Sequence, residues 1–154
     1  MSQKTAAIPR MVVSDPETGK AQTIQLNPQQ LNLLIGKKIG DTIDGSPFGL
    51  RGATLKITGG TDRDGFPMRP DISGPRKVRV LLSGGVGFKP KEKPSVKRKK
   101  RRSRRRKKGL RKRVTVRGNT ISDATAQINV VIVKKSEEAK KQQEEQAAAQ
   151  PTAT

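Results

Sequence analysis

Residues 97–113 read KRKKRRSRRRKKGLRKR, fourteen Lys or Arg in seventeen positions, and this run limits what the chain can fold into more than any other feature. So many like charges with almost no apolar side chain cannot fold on themselves. They bury no surface to offset the ordering entropy, and they repel one another. The run is expected to stay disordered until a polyanion neutralises it. Along phosphates each Lys or Arg displaces a condensed counterion, so engaging about half the run gives log K a slope of about minus five to minus six against log salt. Such binding is tight and nearly blind to sequence.

The net charge of +21 is concentrated there. Residues 1–88 hold twelve basic and seven acidic side chains, residues 89–113 seventeen and one, and residues 114–154 five and five. With three Phe and no Trp or Tyr, single-stranded bases find few rings to stack on, which argues against a recognition-motif sheet or a typical single-strand binder. The absence of Cys and His removes disulfides, thiolate metal sites, the commonest zinc ligand and the usual general base. No cofactor and no metal site are expected. The N-terminal MSQKTAAIPR lacks an apolar core of signal-peptide length, and no window approaches a bilayer span. The expectation is a soluble, cytoplasmic protein with no membrane partner and, at 154 residues, one domain with appendages.

Residues 8–13 are largely apolar, 15–19 (DPETG) are dense in turn formers, and 21–26 mix polar and apolar side chains, which predicts a β-hairpin. Asn27 and Pro28 then supply an N-cap and a first-turn proline, with Leu31, Leu34 and Ile35 on one face and Gly36 as the stop, so a short helix follows. Between 38 and 57 short apolar pieces are divided by glycines, suiting a second strand pair. Residues 77–82 (KVRVLL) alternate, with Val78 and Val80 opposite the basic side chains. Residues 113–117 (RVTVR) alternate again, and 127–133 (QINVVIV) form the most strand-like segment, with Ile128, Val130 and Ile132 on one side and Val131 and Val133 on the other. The predicted class is mainly β: a small barrel of short strands with one short helix, a long basic loop, and a helical or disordered charged tail. Its bounds are 6–135 for the domain, 89–109 for the inserted loop and 136–154 for the tail.

The basic run also suits a localisation tag or a solvated face, but at this density nucleic acid is the fitting partner. Charge alone does not separate RNA from DNA. Eight of the fourteen cations are Arg, whose planar fork holds phosphate bidentately or stacks on a base, and this suits a folded RNA whose phosphates crowd from several directions. Ser103 sits among arginines as a basophilic kinase site would, although an ordinary polar residue in a charged loop is the simpler reading. In 57–72 (ITGGTDRDGFPMRPDI), Gly59, Gly60 and Gly65 permit positive φ, Asp62 and Asp64 accept backbone amides, and Pro67 and Pro70 stiffen the exit. This reads as a shaped contact loop. It lacks the spaced oxygens of a calcium loop. Residues 36–41 lack full phosphate-loop spacing, and a nuclease built on Asp62 and Asp64 lacks supporting catalytic groups.

Residues 57–68 (ITGGTDRDGFPM) resemble the signature of the archaeal and eukaryotic-type small-subunit ribosomal protein six family: an apolar residue, a small one, then GG-x-D-x-x-G-x-P-M. Every fixed position matches, and the resemblance continues through 76–83, 111–118 and 129–135. It implies a β-barrel embedded in small-subunit ribosomal RNA, among neighbouring ribosomal proteins, with no enzymatic activity and no small-molecule substrate. The chain looks like the short archaeal form, without a long basic C-terminal helix and its Ser cluster, so phosphorylation there is not carried over.

The expected RNA contacts are Arg63 and Arg69 around the signature, then Arg76, Lys77 and Arg79 on the following strand. In the arm they are Lys89, Lys91, Lys93, Lys97, Arg98, Lys99, Lys100, Arg101, Arg102, Arg104, Arg105, Arg106, Lys107 and Lys108. Beyond it they are Arg111, Lys112, Arg113 and Arg117. The expected function is structural, in the ribosome: neutralising phosphate repulsion so that RNA segments pack, supporting assembly and translation. The alternative is a DNA-compacting chromatin protein, for which the arm alone would suffice.

Overall fold

The computed structural model describes residues 8–89 and 109–135. The expectations for residues 90–108 and for the tail 136–154 lie outside the described residues. The first strands, β1 (Arg10–Ser14) and β2 (Ala21–Gln25), form the predicted hairpin. Its turn is built by Asp15, whose carboxylate accepts from the Glu17 amide at 3.0 Å and the Thr18 hydroxyl at 2.9 Å. Helix α1 (Pro28–Leu34) follows, and the Asn27 amide donates to Gln30 Oε1 at 3.0 Å to satisfy its first turn. Leu31 and Leu34 are buried as expected, while Ile35 lies just past the helix and remains partly exposed.

Strand β3 (Thr42–Asp44) pairs with β4 (Ala53–Asp62), and β7 (Thr125–Lys135) pairs with β4 on one side and β1 on the other. The sheet order is β2-β1-β7-β4-β3, antiparallel except for β1 beside β7. Register aligns the apolar alternation across the sheet: Met11 lies opposite Ile128, Val13 and Ile57 opposite Val130, and Leu55 opposite Ile132. This face joins Leu31, Leu34, Phe48, Met68 and Ile121 in one core. Each such side chain contributes about 1.5–3 kcal/mol by leaving water. Central β7 turns Ile128, Val130 and Ile132 to the core, while on its other face Val131 is half-buried and Val133 exposed.

The mainly β architecture is as expected, but the sheet does not close into a barrel. It ends at β2 and β3, which do not pair with each other, while β5 (Lys77–Leu82) and β6 (Lys112–Arg117) form a separate antiparallel ribbon. Three register shifts interrupt the β4–β7 ladder. Beyond them the chain folds back, with Pro67 bridging to Thr61 and Met68 to Arg117, so pairing passes to β6. The edges left open are short or polar, which limits unwanted pairing without closure.

The signature glycines also serve differently from expectation. Gly59 and Gly60 lie inside β4 and keep negative φ, and in the signature only Gly65 is positive, at +83°. A Cβ on Gly60 would sit 2.5 Å from the Gln127 carbonyl oxygen and 2.9 Å from Met68 Sδ. Gly60 is needed for close approach of the returning chain to β7.

Candidate nucleic-acid interface

Side chains alternate across the β5–β6 ribbon, so its register decides which cations meet solvent. Val78, Val80 and Leu82 pair with Val116, Val114 and Lys112, and Val116 is fully buried. The opposite face carries Lys77, Arg79 and Leu81 against Arg117, Thr115 and Arg113. At the Lys77 end this face meets the signature corner, and there the cations find acids.

Asp62, the last residue of β4, is 3% exposed, and its Oδ2 receives the Arg117 guanidinium. Lys77 Nζ lies 3.3 Å from the same oxygen, pairs with Asp64, and stands 5.3 Å from the centre of the Phe66 ring. Asp62 Oδ1 accepts the Asp64 amide at 3.2 Å, the bond a tight Asx turn requires. Burial alone would push the Asp62 carboxyl up, but the Asp64 amide, Arg117 and Lys77 together hold it below the ordinary carboxylate range. The bond to Asp64 raises the Lys77 ammonium above its usual value. Arg117 also donates to Ser122 Oγ at 2.9 Å. Its backbone is held as well, its amide donating to the Pro67 carbonyl and its carbonyl accepting from Arg69, each at 2.9 Å. Arg117 is thus the post around which the signature wraps.

The expected contacts therefore divide. Arg69 grips Asp71 with two 2.8 Å bonds and donates a third to the Val86 carbonyl. Arg69, Lys77 and Arg117 all have acidic partners. Arg63, Arg76, Arg79, Lys89, Arg111, Lys112 and Arg113 are exposed, with no acidic partner among the described residues. Lys91, Lys93 and the cations of 97–108 lie outside the described residues. Asp62 and Asp64, weighed above as a cation or nuclease pair, are occupied by Lys77 and Arg117. Sequence reading assigned Asp62 to a turn and missed its ion pair, since its partner is 55 residues away with no local pattern linking them. The Arg69–Asp71 pair is local, a basic and an acidic residue on either side of Pro70 at the entry to a turn, so the sequence does carry a signal for it.

Among the described residues no helix is long and apolar enough to cross a membrane. The sequence pattern of the family described as "Ribosomal protein S6e" matches residues 9–105 and 102–144. A protein of Archaeoglobus fulgidus named "Small ribosomal subunit protein eS6" is 52% identical over 125 residues, covering 80% of this chain and 85% of its own. Proteins of the same name from Methanocaldococcus jannaschii and Halobacterium salinarum are 50% and 43% identical, each over 80% of this chain and over 81% and 82% of their own.

Proposed function

The chain belongs to the ribosomal protein S6e family, and from that premise we infer that it is a structural constituent of the small ribosomal subunit, cytoplasmic within the ribosome and without enzymatic turnover. Its work is to neutralise ribosomal RNA phosphates so that RNA segments pack, beside neighbouring ribosomal proteins. The observation that carries this reading is the ribbon on either side of the basic run. Its strands end at Leu82 and Lys112, which are paired across it. Most of the densest charge in the sequence therefore lies between two paired strand ends, on a ribbon whose outer face carries Arg79 and Arg113.

In this layout residues 6–135 form one domain, residues 89–109 are an inserted RNA-binding loop, and 136–154 are a charged tail. Arg63, Arg76 and Arg79 contact RNA directly. Arg69, Lys77 and Arg117 shape the surface through their acid pairs. A DNA-compacting role would use the arm but leave the constrained corner at 59–68 without purpose. Tagged protein is expected to sediment with small subunits through a high-salt wash. Partition with the nucleoid instead would overturn the reading.

A further inference from the structure

We propose that the outer face of the β5–β6 ribbon takes an unpaired nucleotide of ribosomal RNA, with Leu81 against the base or ribose and Arg79 and Arg113 on the adjoining phosphates. This rests on the reading of the chain as an RNA-bound constituent of the small subunit, and goes further by naming which RNA chemistry the surface takes. Leu81 is 53% exposed, one residue before the end of β5 and paired in regular register. The fold does not use it, because the apolar side of the ribbon is already supplied by Val78, Val80, Leu82, Val114 and Val116.

Arg113 lies directly opposite Leu81, and Arg79 precedes it by two residues on the same face. Directly opposed side chains in such a pair stand about 5 Å apart at Cβ, and residues two apart along a strand about 7 Å. Two guanidiniums therefore bracket one aliphatic side chain, and neither has an acidic partner among the described residues. Cations alone suit any phosphate backbone, but a cation pair around an exposed leucine suits a ligand with an anionic edge and an apolar face. Paired RNA hides its base faces in the stack, whereas bulged and looped nucleotides present them. The aromatic alternatives are poorly placed for this: Phe48 is buried, and Phe66 and Phe88 are half-buried.

The test titrates the full-length protein with two RNA hairpins of equal charge, each closed by a base-free phosphate linker in place of a nucleotide loop, one with a fully paired stem and one with a single bulged nucleotide. The bulged hairpin is expected to bind more tightly. Leu81→Ala is expected to weaken that complex about five- to tenfold, from the lost apolar burial, with no change in salt slope, and Leu81→Met to restore it. Arg113→Gln is expected to weaken both complexes and lower the slope by about one. Leu81 is exposed, so an unchanged melting temperature checks that these effects are not unfolding. Equal affinity for both hairpins, or no effect of Leu81→Ala, overturns the proposal and leaves RNA binding standing. Failure of the wild type to bind either hairpin overturns both. In purified small subunits, a cross-link from photo-leucine at position 81 to a protein chain instead of RNA also overturns it.

Discussion

Asp62 shows how one buried carboxylate organises cations that sequence alone assigns to RNA. It buries Arg117 and holds the exposed Lys77 against the signature corner, so Asp62→Asn leaves a buried guanidinium without its counter-charge. That substitution is expected to cost about 3 kcal/mol of stability in denaturant melts. The pH dependence follows from the same pairing. The folded Asp62 titrates below its unfolded value, so between the two the unfolded chain binds more protons and stability rises with pH. The contribution is complete above the unfolded carboxylate value of about 4 and is lost as pH falls through the folded one. Melting temperatures measured across that acid limb should fall less steeply for Asp62→Asn than for the wild type. A second residue-scale test is Gly118→Ala. A Cβ there would lie 1.8 Å from the Gly74 carbonyl oxygen, which forces backbone movement, so the loss is expected to be at least about 2 kcal/mol in thermal or denaturant unfolding.

At the scale of elements, the ribbon and the sheet divide the labour. The sheet carries the core, and the ribbon presents cations and joins the basic arm at Leu82 and Lys112. Deleting residues 97–108 removes eleven Lys or Arg and leaves every core residue among the described ones in place. The shortened protein is expected to keep its circular-dichroism spectrum and melting temperature. Its RNA affinity should fall, and its log–log salt slope should flatten by about five if half those charges engage phosphate. Unfolding of the shortened protein at room temperature would show that the loop is not a separable insert. The strands themselves were legible from local pattern: 77–82 sets Val78, Val80 and Leu82 on one face at period two, and 127–133 is a short run of β-branched residues. The exception is 59–62, where two glycines and an aspartate suggest a turn. Pairing with β7 overrides that local preference.

For the whole molecule, fold and binding depend on different physics, and salt separates them. Raising ionic strength screens the self-repulsion of a chain of charge +21, so melting temperature is expected to hold or rise while RNA affinity falls steeply. A parallel loss of both would contradict the division between core and arm. Composition and pattern were enough to point to a polyanion partner and to give the β class, the hairpin, the short helix and the family signature. Each of these rests on charge density or on local spacing, which a linear reading contains. Tertiary structure alone decided that the sheet stays open, that Gly60 serves close packing, and which basic residues remain free. Arg79 and Arg117 both occupy alternating strands of the same ribbon, and no local pattern distinguishes them. Only the arrival of β4, with Asp62 at its end, takes Arg117 into the interior and leaves Arg79 facing solvent, because pairing between distant segments is set by how the sheets fold together.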